Sequence, residues 1–284
     1  MRLCLPLFIV TVISHAADLS GVKIQPVSYL PEGRKERADM YLPEQFPDGK
    51  KLPAVLIIHG GGFTGGKRNA ERELNIGSNL VRAGYVAMSI DYLLATPEKP
   101  SWPQNIHDCK TAVRWLRANA DTYHIDSDHI GVIGGSAGGT LAALVTLCGP
   151  DAGLDPSEPF GTFSCQVQCG IDLYGPSDFT IRTKSSTMFG KSFEEAPALY
   201  KQASPVFQAT KGDPPLMIMH GTADKTVDLD QSRLMAAACE KAGIEHELVI
   251  IEGAPHTFHM QPKQKDLRPV MIGFFNKHLK VAGK

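Results

Sequence analysis

Short continuous apolar runs alternate along the chain with longer stretches whose apolar residues recur every three or four positions. The run Ala54, Val55, Leu56, Ile57, Ile58 contains no polar residue and is rich in β-branched side chains, as expected of a strand buried on both faces. Comparable runs lie at 85–90, 130–133, 167–173, 216–219 and 248–251. Between them, Ile106, Cys109, Ala112, Val113 and Leu116 form one helical stripe. Helical patterns over 71–83 and 230–242 each stop at a glycine, Gly84 and Gly243, where a left-handed C-cap carries no steric cost. Further helices are predicted at 140–147 and 267–279. Strand followed by helix, repeated, implies right-handed βαβ units and an α/β fold with a mostly parallel sheet. Segments 22–30 and 37–43 read as two short antiparallel strands at the start. Two stretches break the rhythm. Residues 93–105 carry Pro97, Pro100 and Pro103 around Trp102, and residues 176–214 contain no clear strand and are read as a small lid. Both follow strands, at the edge where open α/β sheets place their ligand crevice.

Composition narrows the class. The 284 residues are 43% hydrophobic and 21% charged, which excludes a disordered or collagen-like chain. A net charge of −1, with no long block of one sign, gives no basic surface for nucleic acid. Arg2, the apolar stretch 5–13 and small residues at Ser14 and Ala16 have the form of a signal peptide over 1–16. A single domain over 17–284, exported to the periplasm or the medium, is the expectation. The apolar stretch is shorter than the roughly 20 residues a membrane span needs, and no later stretch is long enough. Cys4 would leave with the leader. Cys109, Cys148, Cys165, Cys169 and Cys239 remain, an odd number without a CxxC pair, so neither a zinc site nor a disulfide scaffold is indicated.

The chemistry concentrates at four strand ends. Gly134-Gly135-Ser136-Ala137-Gly138 is a G-x-S-x-G pattern, weak alone but here preceded by a strand and followed by a helix. That context is the sharp turn that lifts a serine hydroxyl above the sheet. His59-Gly60-Gly61-Gly62-Phe63 directly follows the strand at 54–58, and its glycines allow backbone amides to face an anion. An oxyanion hole built there would be completed by the amide of Ala137. Gly65-Gly66-Lys67 lacks the spacing of a P-loop. A nucleophilic serine needs a base, and the base needs an orienting carboxylate. Asp224, just past the strand at 216–219, and His256, just past the strand at 248–251, are the favoured pair. Asp172, Asp178 and His259 compete for those roles, whereas His59 and His220 are read as structural. His256 and His259 at i, i+3 lack the two further ligands a metal site requires.

These motifs give the chain a recognisable likeness. It resembles the α/β-hydrolase carboxylesterases, in particular the bifunctional deacetylase/feruloyl esterase-like and acetylxylan esterase group, and more broadly hormone-sensitive-lipase-type esterases. The likeness is carried by His59 to Phe63, Asn105 to Arg117, Ile125-Asp126, Gly134 to Gly139, Ala203-Ser204-Pro205, His220 to Asp224 and His256. It implies Ser136 as nucleophile, His256 as base, Asp224 as its partner, and Gly61, Gly62 and Ala137 as oxyanion donors. Two departures stand out. Tyr92-Leu93-Leu94 replaces a frequent Tyr-Arg-Leu, which bears on packing of the 93–105 loop. The stretch before His59 is too short for a large N-terminal cap, so a more open site is expected.

The resulting expectation is a cofactor-independent serine ester hydrolase acting on acetyl or feruloyl esters of plant polysaccharide, or on similar short-acyl esters. Activity should rise with pH as the base loses its proton, since imidazole titrates near 6.5. Phe63, Trp102 and Phe258 are candidates for stacking on a sugar or phenolic ring. The same fold would also support an amide hydrolase of peptidase or formamidase type. A non-catalytic hydrolase-fold binding module is the alternative outside catalysis.

Overall fold

A computed structural model describes residues 18–181 and 187–280. The proposed leader at 1–16, and residues 182–186 of the proposed lid, lie outside the described residues. The chain forms the strands β1 (Val22–Val27), β2 (Ala38–Pro43), β3 (Leu52–Ile58), β4 (Val86–Ile90), β5 (Ile125–Gly135), β6 (Cys169–Leu173), β7 (Leu216–Gly221) and β8 (His246–Ile251). The helices are α1 (Glu71–Arg82), α2 (Gln104–Ala118), α3 (Ala137–Leu147), α4 (Pro197–Gln202), α5 (Leu229–Ala242) and α6 (Arg268–Leu279). All eight strands join one sheet in the order β1-β2-β4-β3-β5-β6-β7-β8. β1 and β2 are antiparallel to their neighbours, as the opening segments predict, and β3 to β8 are parallel. This is the α/β-hydrolase arrangement, and no large cap is present among the described residues.

β3 shows why the sheet is buried on both sides. Its side chains alternate, so Ala54, Leu56 and Ile58 enter one apolar cluster with α2 and α3, while Val55 and Ile57 enter a second with α1 and α6. α3 is buried all round, which matches its nearly continuous apolar sequence. All five described cysteines are buried and free. Burial raises each thiol's pKa and keeps it as a packing group.

The two irregular stretches pack down onto this frame. Leu93 donates its amide to the buried Asp108 carboxylate at 2.9 Å. Arg34, from the segment before β2, meets the same carboxylate with both terminal nitrogens at 3.0 and 2.6 Å. The 93–105 loop is therefore tied to α2 without an arginine of its own. In the 176–214 stretch, Phe179, Met188, Phe189 and Tyr200 are all buried in the α2/α3 cluster.

Candidate active site

β5 ends at Gly135 and α3 begins at Ala137, leaving Ser136 alone in the turn at φ 58° and ψ −124°. A non-glycine residue at positive φ is strained, and the surroundings have to hold it there. They do so through Ser136 N donating to Leu173 O at 2.8 Å, and Gly139 N and Thr140 N donating back to Ser136 O at 2.8 and 3.1 Å. Close approach explains the glycines around it. A Cβ at Gly138 would sit 2.2 Å from the carbonyl oxygen of Ile58. Any side chain there would push the nucleophile turn away from β3.

The carboxyl ends of β7 and β8 bring two further groups to this turn. His256 Nε2 lies 3.0 Å from Ser136 Oγ, and His256 Nδ1 lies 2.5 Å from Asp224 Oδ2. An ionised carboxylate only accepts, so Nδ1 carries the proton and Nε2 turns a lone pair to the serine hydroxyl. Asp224 Oδ1 accepts from the amides of Thr226 and Val227 at 2.8 and 2.9 Å. Burial pushes this carboxyl's pKa up. The hydrogen bonds from His256, Val227 and Thr226 together outweigh it, and the group stands below its ordinary value. The competitors do not reach the serine turn in this way. Asp178 caps its own turn through Thr180. Asp172 lies inside β6, and His259 Nδ1 accepts from the Gln261 amide.

Opposite the serine, Gly61 and Gly62 have φ of 119° and 63°. At Gly61 a Cβ would lie 2.2 Å from the carbonyl oxygen of Gly65, so no other residue fits that loop. Its carbonyl accepts from Thr64 N and Gly65 N, which fixes the curl of the loop. The amides of Gly61, Gly62 and Ala137 donate to no acceptor among the described residues. Gly61, Gly62, Ser136 and His256 border a cavity of about 690 Å³ that Lys67, Glu71, Arg72, Glu73 and His259 also line. His59 supports this loop, as the sequence suggests. Its Nδ1 donates to Gly60 O at 2.7 Å, its ring stacks on Tyr92 at 4.4 Å, and burial lowers its pKa so that it stays neutral.

Two residues around the base are missed by sequence reasoning. Tyr174, just past β6 at φ 47°, sets its ring edge-to-face against His256 at 4.8 Å. Its hydroxyl donates to Phe258 O at 2.7 Å and accepts from Arg72 at 3.1 Å. Arg72 in turn is held by Glu73 and lies against Gly135. One chain of contacts thus joins the serine turn, α1 and the histidine loop. The only hint in the sequence is an aromatic residue at a strand exit, followed by Gly175-Pro176.

The three aromatic stacking candidates lie in the packing of the fold, away from the cavity that Ser136 borders. Phe63 and Phe258 are each only 4% exposed, in the two opposite core clusters, and neither borders the cavity. Phe63 packs on Phe179, and Phe258 packs on Tyr174. The half-buried Trp102 packs edge-on against Phe189 and donates to Gln202, and it too is absent from the cavity wall. Among the described residues no group of three His, Cys, Asp or Glu is arranged to hold a metal ion, and no helix is long and apolar enough to cross a membrane.

Comparison with known proteins adds three findings. The family model BD-FAE matches residues 38–239. Esterase LipQ of Mycobacterium tuberculosis is 33% identical over 76% of this chain and 52% of its own length, and Esterase LipC of the same organism is 31% identical over 65% and 47%. The chain spans about half the length of the curated relatives it matches. Among solved structures, a thermophilic esterase from Thermogutta terrifontis, Est2 with propionate bound, superposes with a TM-score of 0.76 at 28% identity, covering 94% of this chain and 98% of that one. A truncated carbohydrate esterase from gut microbiota shares the fold with a TM-score of 0.82 at 24% identity, covering 94% of this chain and 100% of that one.

Proposed function

This chain belongs to the BD-FAE family, and we propose that it hydrolyses carboxylic esters through an acyl-enzyme formed on Ser136. The observation that carries this reading is the continuous relay from Asp224 through His256 to Ser136, at 2.5 and 3.0 Å. Ser136 Oγ attacks the ester carbonyl carbon while its proton passes to His256 Nε2. The carbonyl π pair moves onto oxygen and is held by the amides of Gly61, Gly62 and Ala137. Loss of one such donor typically costs about 10²–10³ in kcat. As the tetrahedral species collapses, the bond to the leaving oxygen breaks and His256 returns the proton to it. Water then attacks the acyl-serine with His256 again as base, which releases the acid and restores Ser136.

The substrate reading is a short acyl group, acetyl or feruloyl, on a plant polysaccharide or a similar polar alcohol. The cavity wall supports it. Lys67, Glu71, Arg72, Glu73 and His259 line the space beside Ser136 and offer hydrogen-bonding groups to the hydroxyls of a polar alcohol. The Thermogutta terrifontis esterase with bound propionate is a relative of the same fold that takes a short acid. Export, carried by the pattern of residues 1–16, belongs to the same reading and places the enzyme where polysaccharide esters occur.

The test pairs the protein with Ser136→Ala on p-nitrophenyl acetate, longer acyl homologues, methyl ferulate and acetylated xylan. Turnover of the short esters by the parent alone is the expected result, with rates falling as the acyl chain lengthens. Full activity in Ser136→Ala removes the assigned nucleophile. Cleavage of amides and no ester moves the amide-hydrolase reading ahead, and no turnover of either favours a binding module.

A further inference from the structure

His220 is the second-last residue of β7, four residues before Asp224, and is wholly buried. Its Nε2 lies 3.1 Å from Val227 O and 3.2 Å from Asp224 Oδ2. Both of those oxygens only accept, so Nε2 carries a proton; its N–H bonds Val227 O, and Asp224 Oδ2 lies beside it at ion-pair distance. Its Nδ1 lies 2.7 Å from Ser232 Oγ, a buried hydroxyl on α5 that is free to donate. Burial lowers the ring's pKa, and the neighbouring His256 acts in the same direction against Asp224 and the Val227 carbonyl. The ring is therefore neutral, with its single proton on Nε2.

We propose that His220 is a positioning residue, a neutral imidazole whose Nε2–H holds the Asp224 carboxylate in the orientation that His256 requires. The proposal rests on the reading of Ser136, His256 and Asp224 given above. Each oxygen of Asp224 faces two nitrogens. Oδ1 is held by the amides of Thr226 and Val227 on its own turn, and Oδ2 meets His256 at 2.5 Å with the His220 Nε2 3.2 Å away. The turn amides alone would leave the carboxylate free to pivot about Oδ1. His220 is the group that fixes Oδ2, and Ser232 anchors it to a separate helix. Neutrality matters as well. A cationic His220 would cancel the negative charge that steadies the His256 imidazolium during acyl transfer, whereas a neutral donor orients the carboxylate and leaves its charge in place.

Two substitutions separate this role from packing. In His220→Asn the amide nitrogen falls near the old Nδ1 position and cannot reach Asp224. In His220→Gln it extends to the old Nε2 position and can donate there. With p-nitrophenyl acetate, His220→Asn is expected to lose about 10- to 100-fold in kcat with KM little changed, since a hydrogen bond to a charged group is lost. The acid limb of its kcat/KM profile should move to higher pH, because an Asp224 carboxylate with one donor fewer holds the His256 proton more tightly. His220→Gln should keep kcat within about 5-fold and the parent's acid limb. Equal losses in both variants, following their melting temperatures, would make His220 a packing residue and overturn the proposal. So would an unchanged rate and profile in His220→Asn. If neither variant folds, nitrogen-15 NMR of the histidine-labelled parent decides. The His220 ring, assigned by its own sequence-specific resonances, should stay neutral with its proton on Nε2 from about pH 5 to 8, and a His220 protonated on Nδ1 or titrating in that range refutes the assignment. Asp224→Asn in the same assay keeps the two readings apart, since full activity there would fault the relay itself and not His220.

Discussion

Asp172 lies in β6 and Asp224 just beyond the neighbouring parallel strand β7, and both carboxyl groups are withdrawn from solvent, yet they are opposite in character. Asp172 sits within β6 against the first turn of α3. Its Oδ1 accepts one amide, from Gly175 at 2.9 Å, and its Oδ2 has no partner among the described residues. Burial pushes its pKa up to about 7, against the single amide that favours the ion. Asp224 lies three residues past the end of β7, where the chain has turned and offers two amides and two imidazoles. Burial acts on it in the same direction and is overcome. Withdrawal from water does not decide whether a carboxyl is an anion. The number of donors at its place on the strand does, and only a position beyond the strand end has amides to spare.

The largest effect expected from this contrast is on turnover. Asp224→Asn keeps the shape but turns an N–H toward His256 Nδ1, or leaves it without an acceptor, and the base then holds the wrong tautomer. Steady-state kinetics should show kcat lower by about 10⁴-fold. Asp172→Asn, tested in the same assay, should change kcat by less than about 3-fold, because that carboxyl touches neither Ser136 nor His256. Comparable losses in the two variants would erase the distinction and return Asp172 to the role of acid.

The next effect is on stability and has a definite sign. A carboxyl whose folded pKa is raised binds its proton more tightly in the native state than in the unfolded chain. Between its ordinary value near 3.9 and about 7, the native state therefore carries more protons, and stability falls as pH rises. Asp172→Asn removes that slope and keeps an acceptor for the Gly175 amide. Its melting temperature should gain on the parent's steadily from about pH 4 to pH 7 and level off above. The gain is up to about 1.4 kcal/mol per pH unit. Thermal unfolding at intervals across that range checks it. A gap that is constant with pH would mean Asp172 is not held protonated.

The same contrast explains how much could be read in advance. Strand and helix positions, the parallel sheet and the grouping of Ser136, Asp224 and His256 follow from local features. Apolar runs mark buried strands, and a residue just past such a run must emerge at the carboxyl edge. Asp172 is set aside as an acid for the same reason, because it falls inside a run. Which way a side chain turns after the edge is not local. Phe63 and Phe258 follow strands just as His256 does, but the clusters on either side of the sheet absorb both rings. Tyr174 and Arg72 escape notice because their contact joins residues 102 positions apart. The bond from His220 to Asp224 spans only four residues, but it forms across a turn, where i, i+4 spacing has no fixed geometry.

The smallest effect probes the packing that keeps Asp172 apart from the serine turn. Gly139, in the first turn of α3, approaches so closely that a Cβ there would lie 2.2 Å from Asp172 Oδ1 and 3.0 Å from Leu173 O. Gly139→Ala must therefore displace either a carboxyl or a strand, at a cost of about 1–3 kcal/mol. Much of this clash is with a side chain, so removing that side chain should relieve it. In a double-mutant cycle with Asp172→Ala, the cost of Gly139→Ala should fall by about 1 kcal/mol or more, read from denaturant midpoints at pH 5, where Asp172 is protonated. Additive effects would assign the clash to the Leu173 carbonyl instead. The glycine would then answer to the strand alone, and Asp172 would owe its single amide partner to its depth within β6.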